Sequence, residues 1–411
     1  MRLSGLSKSL RVFFRMQWII DGRSLVSGLH GGVSRVGVSL CDALVRNAEP
    51  TDQFTCVTTG WRKPSLQTEA LNQSHLHLSI PNKIWSANAF ARLASLNESA
   101  ERSVGKCNAI FFPNIGFTGR ITAPYALLLH DLSFLIEPKW FSKRMQVWHR
   151  AVGATHMIKN ATHLFSVSET TKQDAIRLLN IPKERIAVIP IGPTLPRTPL
   201  YHASRQHPSA ISHERDYSIP YYFPYVLALG SGDPRKNTSL AIETVRALRK
   251  MDSFRDLHLV LLGSPERSIE PWIIYEEHVD DERMQALYGS ARAFLYPSWY
   301  EGYGLPLHEA REFGTPLISS IGGALPETAP PGTRFADPAK LHHWVKELAD
   351  LISPSTTPNA PDRSLLQETS FEEGFLRYSR NDGNKNSPSP VWSTAGSIVL
   401  HTLREISLQA D

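Results

Sequence analysis

Glu301 and Glu309 stand with seven residues between them in the run Tyr296-Pro-Ser-Trp-Tyr-Glu-Gly-Tyr-Gly-Leu-Pro-Leu-His-Glu309. Carboxylates accept hydrogen bonds from hydroxyl groups, so one of the pair can bind sugar hydroxyls and the other ribose hydroxyls. Gly302 and Gly304 lie between them, and glycine lets a backbone approach a ligand closely. With Tyr303 and Leu305 they form a loop whose amides can meet a sugar or a phosphate. The plainer alternative has Glu309 capping the first helical turn and Glu301 facing water. An exposed loop so rich in aromatic residues is poor surface design, which counts against that alternative.

The run Gly230-Ser231-Gly232-Asp233-Pro234-Arg235-Lys236-Asn237 carries different chemistry. It lies between an apolar strand and a helix, with Arg235 and Lys236 just before the helix N-terminus. Helix-start amides, the positive end of the dipole and two cations make an anion site. A diphosphate is the obvious anion for a crevice in an open α/β sheet. The alternative is a turn with two solvated cations and an ordinary cap, and these residues alone leave both open.

In the first half, Gly31 and Gly32 follow a strand, either for close approach of the backbone to a ligand or for a tight strand–helix turn. His130-Asp131 ends another strand. Taken alone, a histidine there is more often a hydrogen-bonded structural residue than a ligand-binding one. Ser168-Glu169 precedes a helix and reads as its N-cap and first turn, without a catalytic role.

Alternating strands and helices must position these groups. Residues 16–21 read as a buried strand and Val33–Arg46 as a helix, the opening unit of a doubly wound sheet. Strands follow at Phe54–Thr58, Ala109–Phe112, Ala126–Leu129, Leu164–Val167 and Ile186–Ile189, with a single helix over 142–159. Six prolines crowd residues 193–224, which read as a linker and surface loop. The pattern then restarts with strands at Tyr225–Leu229, Leu257–Leu262, Ala293–Tyr296 and Pro316–Ser320. Helices are expected at Thr238–Lys250, Asp281–Ser290 and Leu305–Phe313. Residues 353–390 read as long loops, and a last helix covers Ser393–Leu408. The expected domains are an extension at 1–15, a first Rossmann-like domain at 16–195, a linker at 196–224, a second Rossmann-like domain at 225–390, and a terminal helix at 391–411 packing back toward the first domain.

Composition bounds the function. At ~150 residues per domain, 411 residues make two large domains or three small ones. The 41% apolar and 20% charged content is that of a globular protein, which excludes wholesale disorder. The net charge of +5 fits an anionic ligand or lipid surface without demanding nucleic acid. The basic residues are scattered, and no nucleic acid partner is expected. Three widely spaced cysteines exclude a disulfide framework and a CxxC metal pair, so a cytoplasmic location is expected. No apolar run approaches the ~20 residues of a spanning helix. Residues 1–15 are basic with apolar residues near helical spacing. They read as a surface anchor, or as a frayed extension with Met16 the true start.

The segments GSGDPRKN, LYGSARAFLYPSWYEGYGLPLHEAREFGTPLISS and ALPE resemble the retaining GT-B glycosyltransferases of family GT4, in particular the bacterial mannosyltransferase-like branch that builds polysaccharides. LLLHDLSFLIEPKWF and LFSVSETTKQDAIRLLNIPKERIAVIPIG extend the resemblance, which covers most of residues 16–345. It implies an α/β GT-B fold, with two Rossmann-like domains facing across a central cleft. It implies a nucleotide-diphosphate sugar held by the second domain, with Glu301 beside the donor sugar and Glu309 on the ribose. Arg235 and Lys236 would neutralise the diphosphate, with Gly230 and Ser231 in the same loop. Some family members carry an arginine directly after the first glycine; here Ser231 stands there, so its share falls on Arg235 and Lys236. The amides of Gly302, Tyr303, Gly304 and Leu305 would meet the donor, and the Gly31-Gly32 loop would close over diphosphate and acceptor. His130 would lie near the transferred sugar.

Catalysis is thereby assigned to His130, Glu301, Lys236 and Arg235, with retention through a front-face reaction. No cofactor or metal is expected, and no Asp-x-Asp occurs in the sequence. GDP-mannose is the favoured donor, and a saccharide or lipid-linked saccharide the acceptor, in O-antigen, capsule or exopolysaccharide synthesis. Peripheral contact with the cytoplasmic membrane face is a further expectation. The rival within the fold is a catalytically silent protein that binds sugar nucleotide or carbohydrate in an assembly complex. A dehydrogenase is disfavoured because Arg235 stands where the dinucleotide fingerprint needs its third glycine. No phosphate-loop NTPase signature occurs, and the paired glutamates argue against a sugar-nucleotide epimerase.

Overall fold

Apolar runs too short for helices alternate with segments of helical period, and the runs become strands. The computed structural model describes residues 16–28, 31–195, 221–230, 232–263, 270–277, 279–353 and 389–409. In the first half the strands are β1 (Met16–Asp21), β2 (Asp52–Thr59), β3 (His75–Leu78), β4 (Ala109–Phe112), β5 (Tyr125–Leu129), β6 (His163–Ser166) and β7 (Ile186–Val188). They form one parallel sheet in the order β3-β2-β1-β4-β5-β6-β7. The second half contributes β8 (Tyr225–Leu229), β9 (His258–Leu262), β10 (Ile273–Glu276), β11 (Ala293–Tyr296), β12 (Leu317–Ser320) and β13 (Arg334–Ala336). These form a second parallel sheet in the order β10-β9-β8-β11-β12-β13.

Crossover helices cover both faces of such sheets, so central strands such as β4, β5 and β11 are buried at every residue. The helices of the first half are α1 (Gly32–Arg46), α2 (Glu69–Gln73), α3 (Asn82–Phe90), α4 (Leu96–Val104), α5 (Ser133–Ile136), α6 (Lys143–Ala151), α7 (Ala154–Asn160) and α8 (Glu169–Leu179). Those of the second are α9 (Thr238–Leu248), α10 (Asp281–Ser290), α11 (Leu305–Glu312), α12 (Leu325–Thr328) and α13 (Leu341–Ile352), followed by α14 (Pro390–Gln409). In each sheet the strand order reverses beside the first strand: β1 lies between β2 and β4, and β8 between β9 and β11. Open parallel sheets bind ligands at such switch points, beyond the carboxyl ends of the strands.

Contacts divide the chain into two units. The first holds the described residues up to Leu135, then Ser142–Gly192 and α14; the second holds Ile136–Phe141 and the described residues from Pro193 to 353. The boundary therefore falls before residue 195, because Leu195 lies in the second core and Thr194 bonds to Glu309. Helix α14 lies on α1 so closely that a Cβ on Gly396 would stand 2.8 Å from the backbone of Ala43 and Leu44. At its far end Trp18 Nε1 donates to Ser407 Oγ at 2.9 Å, and Arg404 pairs with Glu49 at 3.1 Å and with Asp52.

Several elements differ from the sequence reading. The single helix expected over 142–159 is two, α6 and α7, because Gly153 adopts a left-handed conformation (φ 68°) that ends one before the other begins. Strands β3, β10 and β13 were not expected. All three are sheet edges, and β13 is three residues long, so none shows a long apolar run. Helix α14 starts at Pro390, within the segment read as loop. Residues 1–15, 196–220, Ser231 and 354–388 lie outside the described residues, with the expectations for the extension, most of the linker and the long loops.

Candidate active site

The loop from β8 to α9 builds the first part of the site in the second unit. Pro234–Lys236 form a single 3-10 turn whose N-cap, Asp233, accepts from the Arg235 amide at 3.0 Å. The Asp233 carboxylate also takes two bonds from the Arg235 guanidinium, from Nε at 3.0 Å and Nη2 at 2.7 Å. Burial works to raise the Asp233 pKa, but the bonds and charge of Arg235 outweigh it and hold the carboxyl below its ordinary range. The Arg235 guanidinium lies over the Phe141 ring, 5.2 Å from its centroid. Asn237, in the left-handed region at φ 51°, caps α9.

Lys236 reaches across to the β11–α11 loop. Its Nζ donates to Glu301 Oε1 at 2.6 Å and to the Tyr296 hydroxyl at 3.2 Å. Tyr296 is fully buried; burial raises its pKa, and the Glu301 charge and a hydrogen bond to Glu301 add to the shift. The phenol therefore stays protonated, accepts from Lys236 and donates to Glu301. The main chains of the two loops are joined as well, since the Trp299 amide donates to the Arg235 carbonyl at 2.7 Å. Each of the two expected cations is thus matched by a carboxylate, Arg235 by Asp233 and Lys236 by Glu301. The four charges sum to zero, where the sequence reading counted two cations for a diphosphate and gave Asp233 no part.

Two glycines outside the expected set place Glu301. Its backbone pairs with Gly323, and the Ala324 amide donates to the Glu301 carbonyl at 2.8 Å. Gly323 has φ 61°, and a Cβ there would stand 2.4 Å from that carbonyl oxygen; a Cβ on Gly322 would stand 2.3 Å from the Trp299 oxygen. The sequence signal was the Gly-Gly pair after β12, just ahead of the ALPE segment. Gly304 itself caps α11 in the left-handed region (φ 91°), and Leu325 occupies the space of its absent Cβ.

Both glutamates of the pair are buried, Glu301 to 8% and Glu309 to 7% exposure, so neither is the solvated residue of the plainer alternative. Glu309 Oε1 accepts from Thr194 Oγ1 at 2.8 Å. Tyr303, carried by the same loop, stacks on His308 with ring centroids 4.9 Å apart. Burial lowers the His308 pKa to about 4, against a hydrogen bond from the ring to the Thr328 backbone carbonyl that works to raise it. The loops thus bring Gly230, Arg235, Lys236 and Glu301–Leu305 into one unit with Glu309.

The first unit places its candidates at the carboxyl ends of its strands. His130 follows β5, is half-buried, and bonds through Nε2 to the Pro113 carbonyl at 2.9 Å. Burial lowers its pKa, opposed by that carbonyl and by Asp131, so the ring is neutral at pH 7 and donates from Nε2. Asp131 accepts from the amide and hydroxyl of Ser133, which starts α5. Gly31 caps α1 with an extended backbone, and a Cβ there would meet nothing within 4 Å. The fold therefore does not require glycine at 31, which removes the tight-turn explanation for that residue. Ser168 is the N-cap of α8, accepting from the Thr171 amide at 3.1 Å.

Among the described residues, no group of three or more His, Cys, Asp or Glu could hold a metal ion. Nor is any described helix long and apolar enough to cross a membrane.

Residues 223–353, which carry the Arg235–Lys236 turn and both glutamates, match the family model described as Glycosyl transferases group 1. Over this part of its length the chain is similar to that family. It is 29% identical over 262 residues to O-antigen chain mannosyltransferase B of Escherichia coli, covering 59% of this chain and 65% of that protein. It is 32% identical over 140 residues to the MMP alpha-(1->4)-mannosyltransferase of Mycolicibacterium hassiacum, covering 31% and 34%. The matches thus span from a third to just under two thirds of these relatives' lengths. Among solved structures, sucrose-phosphate synthase from Thermosynechococcus elongatus aligns with a TM-score of 0.61 at 16% identity, over 96% of this chain and 97% of that one. WaaG, a glycosyltransferase involved in lipopolysaccharide biosynthesis, aligns at 0.59 and 13%, over 96% and 98%. At these identities the likeness shows the fold, which is that of the GT-B glycosyltransferases.

Proposed function

We propose that this protein is a group 1 glycosyltransferase that transfers a hexose from a nucleotide-diphosphate sugar to a saccharide or lipid-linked saccharide, with retention and without a metal. Mannose from GDP-mannose is the favoured donor, in bacterial surface polysaccharide synthesis on the cytoplasmic side of the membrane. The observation that carries the proposal is the Lys236–Glu301 contact inside the family region. It sets a cation and a sugar-binding carboxylate side by side at a switch point of the second sheet. The O-antigen mannosyltransferase among the relatives supports the choice of sugar.

Glycosyl transfer expels a nucleoside diphosphate, so negative charge grows on its oxygens in the transition state. Fixed donors aimed there lower the barrier most. An ammonium has three donors; Glu301 and Tyr296 take two from Lys236, and the third serves a phosphate oxygen. The Arg235 guanidinium, held by Asp233 and Phe141, adds positive field at the same turn. Glu301 and the amides of residues 302–305 hold the donor sugar, and Glu309 the ribose. Neutral His130 binds a hydroxyl of the transferred sugar. The departing phosphate oxygen takes the acceptor proton as the new bond forms on the same face.

A thermal-shift screen against GDP, UDP, ADP and dTDP, with and without magnesium, tests the reading, since a ligand of the native state raises apparent stability. One nucleotide standing out without metal, with the response weakened in Lys236→Ala, is the expected result. No response to any nucleotide overturns it in favour of a silent carbohydrate-binding protein. Proton NMR of the product reads retention directly. Peripheral membrane contact through residues 1–15 is refuted if their deletion leaves liposome binding unchanged.

A further inference from the structure

We infer that Tyr296 is a positioning residue for diphosphate binding, whose hydroxyl keeps the Lys236 ammonium from turning fully onto Glu301. On the transferase reading above, Lys236 meets the phosphate, and Tyr296 acts through it without touching the ligand. Tyr296 ends β11, and its side chain is buried to 1% exposure. A phenol so placed has to satisfy its hydroxyl within the protein. Its ring is held on two sides: the Phe294 centroid lies 5.6 Å from its own, and a Cβ on Gly304 would stand 3.9 Å from Tyr296 Cε1. The hydroxyl is therefore a fixed point.

That hydroxyl has two partners. Lys236 Nζ donates to it at 3.2 Å, and it donates to the Glu301 carboxylate. Lys236 Nζ donates to Glu301 Oε1 as well, at 2.6 Å. Each of the three groups is thus bonded to the other two. Counting hydrogens fixes the direction of every bond. The phenol has one, which goes to Glu301, so its oxygen can only accept from Lys236. The ammonium has three, and two are placed. Among the described residues the third has no partner.

Without the phenolic oxygen, both remaining groups lose a bond. The ammonium then carries two hydrogens without a partner, and the carboxylate beside it gains an open acceptor site. Charge-assisted bonds are the strong ones, so a second ammonium hydrogen turns onto Glu301. The lysine then directs its donors at the acid, and a phosphate can recover one only by breaking a bond already made. The phenol prevents this, because its hydrogen occupies the carboxylate while its oxygen holds the ammonium to one side. Burial and the Glu301 charge hold the phenol's pKa well above its ordinary value, so the arrangement persists through neutral pH.

The test is calorimetry on the full chain with GDP and GMP as probes, and UDP and UMP beside them. The parent should bind one diphosphate more tightly than its monophosphate, since Lys236 reaches the terminal phosphate. Tyr296→Phe removes one oxygen and leaves the ring. Its affinity for that diphosphate should fall about tenfold, as befits the loss of one charge-assisted hydrogen bond, with the monophosphate unchanged. 3-Fluorotyrosine in place of Tyr296 keeps the ring and the hydroxyl but weakens the oxygen as an acceptor. It should lower diphosphate affinity by a smaller factor, and it keeps the test open if Tyr296→Phe does not fold. Equal losses for diphosphate and monophosphate mark a merely structural residue and overturn the inference, as does a diphosphate preference that both substitutions leave intact. Either result leaves the transferase reading standing. A parent without any diphosphate preference strikes that reading, and this inference with it.

Discussion

Lys236 and Glu301, 65 positions apart in the chain, meet at 2.6 Å with the Tyr296 hydroxyl bonded to both. The contact joins the turn before α9 to the loop before α11, so one ion pair ties two loops together. Its side chains keep only 16% and 11% exposure, which makes the pair costly to break and slow to be replaced by water.

Glu301→Gln keeps the shape of the side chain and removes its charge, leaving Lys236 partly buried beside a neutral partner. Breaking a buried pair costs ~3–5 kcal/mol, and the remaining exposure here places the loss nearer 2 kcal/mol, read as a shift in the urea midpoint. Glycosyl transfer should fall about 100-fold or more. The double variant Lys236→Met with Glu301→Leu should recover stability without recovering transfer. Full activity in Glu301→Gln would remove this carboxylate from the chemistry.

Two glycines make opposite predictions. Gly323→Ala puts a Cβ against the Glu301 carbonyl in a left-handed backbone, so the acid loop must shift. Stability should drop by ~1–3 kcal/mol, and transfer with it. Gly31→Ala adds a methyl in open space on an extended backbone. Its melting temperature should match the parent protein while KM for donor or acceptor rises, because on the proposed reading a ligand lies where the methyl would go. Unchanged kinetics in Gly31→Ala would take that loop out of the site.

His308 predicts a pH dependence of stability. Its pKa falls from 6.5 in the unfolded chain to about 4 in the fold. Above pH 6.5 the ring is neutral in both states and the full stability is present. As pH falls below 6.5 the unfolded chain gains a proton that the folded ring refuses, and stability declines until about pH 4, where both are charged. The loss by pH 4.5 is on the order of 2 kcal/mol. Urea unfolding at pH 7 and 4.5 should show a smaller difference in His308→Gln than in the parent; an equal difference would place the proton uptake elsewhere.

The central strands were legible because a doubly covered parallel strand must be apolar throughout, as Ala126–Leu129 and Ala293–Tyr296 are. The edge strands β3 and β10 were not, since they are half-exposed and carry mixed residues. The paired glutamates and the Arg235–Lys236 turn were readable from residue type and spacing within one loop. Their partners were not readable in the same way. Lys236 finds Glu301 across 65 positions, and Thr194 finds Glu309 across 115. Asp233 stood in plain view two residues from Arg235, yet only the folded turn shows that it cancels the charge.

The placement of α14 has a consequence for synthesis. Asn47, beside the end of α1, bonds to Ser393 of α14, 346 positions later. At ~5–20 residues per second a ribosome needs roughly 20–70 s to make the intervening chain. During that interval the groove on α1 that receives Gly396 stands open, while β8 through α13 are all made before α14. The second unit is therefore the one equipped to finish folding first, reversing the usual order in which the earlier half of a nascent chain matures ahead of the later.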